Sequence, residues 1–254
     1  MSTSPATWVL VRGLTRERAH WGPFPAVLGA ALHGARVITL DLPGAGTLHG
    51  GRCPANVAAM VEACRGQLRA LRIDGPVHLL GLSLGGMVAA QWLLRWPQEV
   101  AGAVIVNSSA RGLGPLHRRL RPVSWPALLR IALRWGTRAA EHEVLQLTSS
   151  HPQRHIGLLG EWTAVQRARP VSRLNALRQL LGAARHRLPD GVPSVPVLVV
   201  CSARDALVDP RCSRVLAAAW GCDIAVHAQA GHDLPLDVAA WLAAQVADWM
   251  RRPA

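Results

Sequence analysis

The stretch that decides the fold is VHLLGLSLGGMVAAQWLLRW, residues 77–96. Its first part, Val77–Leu82, is an almost continuous apolar run, which is typical of a strand buried on both faces of a sheet. Its second part, Leu84–Trp96, predicts a helix that stops before Pro97. Ser83 stands between them, with a glycine two residues away on each side. The stretch therefore predicts a strand, a sharp turn that carries the Ser83 hydroxyl, and a helix.

The same alternation extends along most of the chain. Five further short apolar runs predict strands, and helical patterns separate them. Strands that alternate with helices require right-handed crossovers, which build a parallel sheet with both faces covered. We therefore predict an α/β fold with a mostly parallel sheet of about six strands flanked by helices. The predicted strands are Thr7–Arg12, Ala35–Leu40, Val77–Leu82, Val100–Val106, Val195–Cys201 and Asp223–His227.

The middle section, residues 111–190, lacks strand-like runs and carries helical patterns. It therefore predicts a helical insertion, with residues 1–110 and 191–254 forming one core. One predicted helix has an apolar face and an arginine face, and another has an apolar stripe. The apolar face is Leu128, Ile131 and Trp135; the arginine face is Arg130, Arg134 and Arg138; the second stripe is Leu174, Leu177, Leu181 and Ala184.

The charge of the chain is concentrated in this insertion. The formal net charge is +13, and all 28 basic residues are arginine. The insertion holds 14 arginines and four acidic residues, so its net charge is +10. Basic and aromatic residues do not interleave as in nucleic-acid readers, which argues against a nucleic-acid partner. Two interpretations remain: a solvated face shaped by compositional drift, or a docking surface for an acidic carrier, because arginine binds phosphate and carboxylate well.

Cysteine usage and hydropathy narrow the class of protein further. The five cysteines are odd in number and match no metal-ligand spacing, so they predict reduced thiols, a cytoplasmic location and no metal site. No stretch approaches the ~20 apolar residues that span a bilayer, so no membrane association is expected.

The residues that carry chemistry centre on the G-x-S-x-G string at Ser83. A serine hydroxyl is a poor nucleophile at neutral pH and needs a base. His232, between the last predicted strand and the last helix, is the candidate base. The base needs a carboxylate to orient it, and Asp205 follows the Val195–Cys201 strand. Asp209 is the alternative acid, although its place before a proline predicts a helix N-cap.

In these features the chain resembles the α/β-hydrolase fold family. The resemblance extends through Arg12-Gly13-Leu14, Asp41-Leu-Pro-Gly-Ala-Gly46, the Ser83 turn, Ser202-Ala-Arg-Asp205 and Gly231-His232-Asp233. The order Ser, Asp, His is the one that the family uses, and the insertion lies where the family carries a helical cap. The resemblance implies an oxyanion hole built from the backbone amides of Leu14 and Leu84. The family usually has histidine before the first glycine, where this chain has Arg12.

The resulting expectation is a serine hydrolase that cleaves a carboxylic ester or thioester without a cofactor or metal. Transfer to another acceptor or cleavage of a C–C bond is an alternative on the same scaffold, and a non-catalytic binding protein is the alternative from another class. The expected partners are a small acyl ester or thioester and an acidic carrier, acyl-carrier protein or coenzyme A, at the arginine-rich cap. Four tryptophans are candidates for the pocket wall or for core packing: Trp21, Trp125, Trp135 and Trp162.

Overall fold

The computed structural model describes residues 6–252, and the six strands in this range form one sheet in which every pair is parallel. The strand order is β2-β1-β3-β4-β5-β6. All carboxyl ends of the strands therefore meet at one edge of the sheet. The strands are β1 (Thr7–Val11), β2 (Arg36–Leu40), β3 (Val77–Leu82), β4 (Val100–Val106), β5 (Val197–Ser202) and β6 (Asp223–His227).

Helices cover both faces of the sheet and bury the apolar side chains of the strands. α1 (Phe24–Ala31) and α12 (Ala239–Met250) pack on one face, around Trp8, Leu10 and Leu242. On the other face, α2 (Val57–Ala70), α3 (Leu84–Arg95) and α10 (Pro210–Trp220) pack around Leu79 and Ile105. Burial on both sides explains why the four central strands, β1, β3, β4 and β5, are nearly continuous apolar runs, whereas the edge strands β2 and β6 are partly exposed.

The stretch between β4 and β5 is helical. It carries α4 (Leu116–Arg119), α5 (Trp125–Leu133), α6 (Arg138–Thr148), α7 (Pro152–His155), α8 (Leu159–Ala168) and α9 (Arg173–Arg185). Two ion pairs fasten it to the loop after β1: Arg16 with Glu141 at 2.6 Å, and Arg169 with Glu17 at 2.6 Å. This stretch therefore lies against the carboxyl edge of the sheet.

The structure corrects two details of the sequence prediction. The last helix of the sequence prediction is two helices, a short α11 (Leu234–Asp237) followed by α12. The apolar stripe predicted on α9 is not its buried face, because Leu174 and Leu177 are about half exposed. The buried face of α9 carries Asn175 and Gln179 instead.

Polar side chains are buried on α9 because they satisfy loop backbone in the core. Asn175 accepts a hydrogen bond from the Cys53 amide and donates one to the Gly51 carbonyl. Gln179 accepts one from the Thr15 amide at 2.7 Å. Pairing these otherwise unsatisfied backbone groups offsets the loss of apolar contact.

As for membranes, none of the helices within residues 6–252 has both the length and the apolar character needed to cross one.

Candidate active site

Ser83 occupies a strained turn between β3 and α3. Its backbone has φ 58° and ψ −115°, a region that L residues rarely adopt. The turn is held by the surrounding backbone: the Ser83 amide donates to the Val106 carbonyl at 2.9 Å, and the Ser83 carbonyl accepts from Ser108 Oγ at 2.7 Å. The strain places the Ser83 side chain above the edge of the sheet, at the start of a helix.

The glycines around Ser83 allow α3 to pack directly on the strands. A Cβ on Gly81 would overlap the carbonyl of Gly85, and a Cβ on Gly85 would overlap the carbonyl of Val11. A Cβ on Gly86 would approach Ser108 Cβ to 2.6 Å. Only hydrogen fits at these positions, so the string around Ser83 is required by close approach of backbone.

His232 and Asp205 form a buried pair beside this turn. The Nδ1 atom of His232 lies 2.7 Å from Oδ2 of Asp205. The other carboxylate oxygen of Asp205 accepts hydrogen bonds from the amides of Leu207 and Val208, at 2.8 and 2.9 Å. The Asp205 carboxylate is therefore held in one orientation, and it leaves Nε2 of His232 free of this contact.

The charges around His232 favour its protonated form. Burial on its own would lower the pKa of His232, but Asp205, by charge and hydrogen bond, and Asp233, by charge, raise it above the ordinary value of 6.5. Arg12 opposes them by its positive charge. Burial likewise would raise the pKa of Asp233, but Arg12 holds it below its ordinary value.

Asn107 and Asp237 fasten the loop that carries His232. Asn107, at the end of β4, donates to the His232 carbonyl at 2.8 Å and accepts from the Ser202 amide of β5 at 2.8 Å. Asp237 accepts from the Gly231 amide at 2.8 Å and from the Ser150 amide at 2.9 Å. Neither residue was predictable from the sequence, since nothing local marks an Asn or Asp whose partners lie in other loops.

The loop after β1 lies against Ser83. A Cβ built on Gly13 would come within 3.1 Å of Ser83 Cβ and 3.6 Å of Ser83 Oγ, so backbone reaches the hydroxyl here. Leu14 follows Gly13, and Leu84 opens α3, where first-turn amides have no partner within the helix. The loop is held by the Thr15 amide, which donates to Gln179. The two amides predicted for an oxyanion hole thus lie on the two segments that flank Ser83.

Arg12 and Asp233 form a buried ion pair that the sequence analysis did not predict. Nη1 and Nη2 of Arg12 donate to the two carboxylate oxygens of Asp233, at 3.0 and 2.5 Å. Both side chains are more than nine-tenths buried. The sequence marked Arg12 as the departure from histidine, and Asp233 follows His232 directly. Their opposite charges were the signal that could have linked them.

A cavity of about 470 Å³ opens above Ser83. Ser83, His232, Leu14 and Leu84 line it from the sheet edge. Most of the remaining wall is apolar and comes from the helical stretch. These side chains include Leu116, Leu128, Ile131, Ala132, Trp135, Val144, Leu147, Leu177 and Leu180. A cavity of this lining accommodates an apolar chain next to the Ser83 hydroxyl.

Of the four candidate tryptophans, only Trp135 is among the residues that line this cavity. Trp135 lines it and donates its indole N–H to the Val171 carbonyl at 2.9 Å. Trp125 lies outside the wall, because it is 52% exposed and its indole N–H faces the Leu120 carbonyl.

Trp21 and Trp162 are core residues rather than wall residues. Trp21 stacks on Phe24 with ring centroids 5.7 Å apart, and the Arg12 guanidinium lies over its ring. Trp162 lies under the guanidinium of Arg16 at 4.5 Å. Both tryptophans support arginines of the loop after β1, so they act on the cavity only through those side chains.

The predicted arginine face is divided between two helices, because α5 ends at Leu133 and Arg138 begins α6. The part at α5 is partly neutralised within the chain. Arg130 and Arg134 both approach Oε1 of Glu143, at 2.9 and 3.5 Å. Among the described residues, no three His, Cys, Asp or Glu side chains lie close enough together to bind a metal ion.

Sequence comparison identifies relatives across most of the chain. A family model described as "Alpha/beta hydrolase family" matches residues 8–245. A "Pimeloyl-[acyl-carrier protein] methyl ester esterase" of Neisseria meningitidis is 32% identical over 71% of this chain and 56% of that relative, so the chain spans little more than half of its length. A protein of Serratia proteamaculans named "Putative carbamate hydrolase RutD" is 30% identical over 89% of this chain and 84% of that protein.

Solved structures share the fold. The enol-lactonase from Burkholderia xenovorans superposes with a TM-score of 0.80 and 21% identity, over 98% of this chain and 93% of that one. A thermophilic esterase from Thermogutta terrifontis gives a TM-score of 0.72 and 22% identity, over 98% and 90%. Together with the match over residues 8–245, these likenesses confirm the predicted fold and resemblance: the chain belongs to the alpha/beta hydrolase family.

Proposed function

We propose that the chain hydrolyses carboxylic esters or thioesters, with Ser83 as nucleophile, His232 as general base and Asp205 as the group that orients the base. One observation carries the proposal: Ser83 and His232 line the same cavity, and His232 Nδ1 lies 2.7 Å from the Asp205 carboxylate. This arrangement leaves His232 Nε2 as the atom that accepts the serine proton.

The reaction then has two steps. Ser83 Oγ forms a bond to the carbonyl carbon while His232 takes its proton, and the alcohol or thiol leaves with that proton. Water, deprotonated by His232, then attacks the acyl carbonyl carbon. The bond from that carbon to Ser83 Oγ breaks, the acid leaves, and His232 returns the proton to Ser83 Oγ. The backbone amides of Leu14 and Leu84 hold the negative oxygen in both steps.

The acyl part of the substrate occupies the apolar cavity. We assign residues 111–190 as the cap that supplies most of this wall, and residues 1–110 and 191–254 as the hydrolase core. The name of the Neisseria meningitidis relative favours an ester whose acyl chain is attached to an acyl-carrier protein. The charge of +10 on residues 111–190 fits such an acidic carrier, although Glu143 already neutralises part of the α5 arginine face.

A carbamate is the second candidate substrate. The name of the Serratia proteamaculans relative favours it, and that match covers more of both chains. Cleavage of a C–N bond would use the same nucleophile and base. The apolar wall favours the ester over the carbamate, because a small polar carbamate would leave most of the 470 Å³ cavity unfilled.

The five free thiols fit a reducing compartment, and we propose that the protein is located in the cytoplasm.

The direct test is covalent labelling with a fluorophosphonate followed by mapping of the modified peptide. We expect label on Ser83 and loss of both label and ester turnover in Ser83→Ala. Ser194→Ala, at an exposed serine, is the matched control and keeps both. Folded wild-type protein without label, or equal turnover by Ser83→Ala, would contradict the proposal and favour a binding protein. Product analysis with and without an alcohol acceptor separates hydrolysis from acyl transfer.

A further inference from the structure

The ion pair between Arg12 and Asp233 joins two loops that start far apart on the sheet. Arg12 follows β1 and Asp233 lies after β6, and three strands separate β1 from β6. At ~4.8 Å per strand step, the two strands are about 19 Å apart. Both loops therefore bend inward over the end of β3, where Ser83 lies, and the ion pair closes them there.

The neighbours of the two residues explain what this closure holds in place. Arg12 precedes Gly13, whose backbone lies against Ser83, and Asp233 follows His232. The Asp233 amide is also held, by the Thr148 carbonyl at 2.8 Å. A bidentate guanidinium–carboxylate contact is directional, so it transmits the position of one loop to the other.

We propose that the Arg12–Asp233 pair is a positioning element that sets the loop after β1 and the His232 loop at a common place over Ser83. The inference rests on the proposed function only for its effect on turnover. Arg12 and Asp233 act through their neighbours, so they are positioning residues. Burial of the pair is costly and contributes little to stability by itself, which is consistent with a role in geometry.

The charges facing His232 give a readout of the pair at the base itself, because a contact that stabilised the fold at a distance from His232 would not move its pKa. They come from three loops: Asp205 after β5, Asp233 beside His232, and Arg12 after β1. Arg16, from the loop after β1, acts on Asp233. In the intact pair the effects of Arg12 and Asp233 on His232 oppose each other. Removing one partner exposes His232 to the other, and the two single changes therefore act in opposite directions.

The experiment compares Asp233→Asn, Arg12→Gln and the double variant. The pKa of His232 is read from its imidazole signal by NMR, which needs no turnover. We expect a lower pKa in Asp233→Asn, because Arg12 is left alone, and a higher pKa in Arg12→Gln, because Asp233 is left alone. The double variant returns the pKa towards the wild-type value. The kcat of all three falls by about 10- to 100-fold, because misplaced loops misalign the reacting groups.

The matched control is another arginine–carboxylate pair at the opposite end of the molecule. Arg65 on α2 contacts Glu99, which precedes β4, at 2.5 Å. Glu99→Gln breaks that pair, and we expect no change in the pKa of His232 or in kcat. Shifts of the same sign in the two single variants, no shift, or wild-type kcat in the double variant would overturn the inference.

Two further outcomes keep the test decisive. If Arg12→Gln does not fold, because it buries an unpaired Asp233, the Asp233→Asn variant decides by the direction of its shift. If wild-type protein shows no Ser83-dependent turnover, the proposed function fails, and the NMR titration still tests the coupling between the pair and His232. The two failures are therefore distinguishable.

Discussion

The sheet core and the helical stretch between β4 and β5 follow different rules. In the core, the apolar runs of the four central strands are buried, and Ser83, Asp205 and His232 follow the carboxyl ends of β3, β5 and β6. In the helical stretch, Leu129 and Leu133 are 62% and 71% exposed, whereas polar Asn175 and Gln179 are buried. The difference teaches that an apolar pattern predicts burial in the central strands but not in the helical stretch, whose side chains line the cavity instead.

The largest effect is expected in the core, at Asp205. Asp205→Asn removes the charge that orients and stabilises the His232 ring, so kcat should fall by about 10⁴-fold for every ester. Asp209→Asn is the matched control four residues on. Asp209 caps α10 and contacts Arg211, so its replacement should leave kcat within about twofold and cost about 1 kcal/mol of stability at most. Similar losses in both variants would contradict the assignment.

Replacing a glycine by alanine should change the free energy of unfolding in opposite directions in the two regions. Gly85→Ala places a methyl group on the Val11 carbonyl, and we expect a loss of about 3 kcal/mol in the free energy of unfolding. Gly160→Ala, on α8, meets nothing within 4 Å, and we expect a gain of about 0.5 kcal/mol. Urea denaturation measures both. A tolerated Gly85→Ala would show that the core relaxes more than the packing implies.

Changes in the helical stretch should alter substrate preference rather than chemistry. Ile131→Trp fills the cavity, so kcat/KM for long-chain esters should fall by about tenfold while acetyl ester turnover stays unchanged. Leu129→Trp, on the exposed side of the same helix, is the control and should change neither. A parallel series of p-nitrophenyl esters measures both variants. Equal losses for short and long esters would mean that the helical stretch affects the reacting groups.

The pH profile reports on the core alone. In the proposed reaction His232 is a base only when neutral; burial lowers its pKa, but Asp205 outweighs that effect and raises the pKa above 6.5. The kcat/KM of the wild-type enzyme should therefore fall as pH decreases through a value above 6.5. Ile131→Trp should keep the same midpoint. A wild-type midpoint below 6.5 would contradict the balance of charges described at the site.

The smallest effect on a free ester is expected at the exposed arginines. Arg130→Gln with Arg134→Gln should leave turnover of a small ester within about twofold, since both side chains are about half exposed. Turnover of an ester on an acyl-carrier protein should fall, and its dependence on salt should weaken. Unchanged turnover of the carrier-linked ester would favour the solvated-face interpretation of these arginines.

Much of the fold could be predicted because it depends on local patterns. The bounds of β3, β4 and β6 agree with the predicted Val77–Leu82, Val100–Val106 and Asp223–His227. The Asp209 N-cap was predicted from the proline after it. The inner face of α9 was not predictable, because Asn175 and Gln179 are buried by partners 122 and 164 residues away in sequence.

The sequence by itself determined where the chemical groups lie along the chain relative to the strands. A serine follows one strand, a carboxylate follows a later strand, and a histidine follows the last strand. These positions follow from short-range rules, since an apolar run ends where a turn begins. Only the tertiary structure decided which charges meet. Arg12 and Asp233 are 221 residues apart, and their contact exists because parallel strands bring all their carboxyl ends to one edge. Charged residues that are distant in sequence become partners because their loops meet at that edge, and no local sequence pattern predicts such pairs.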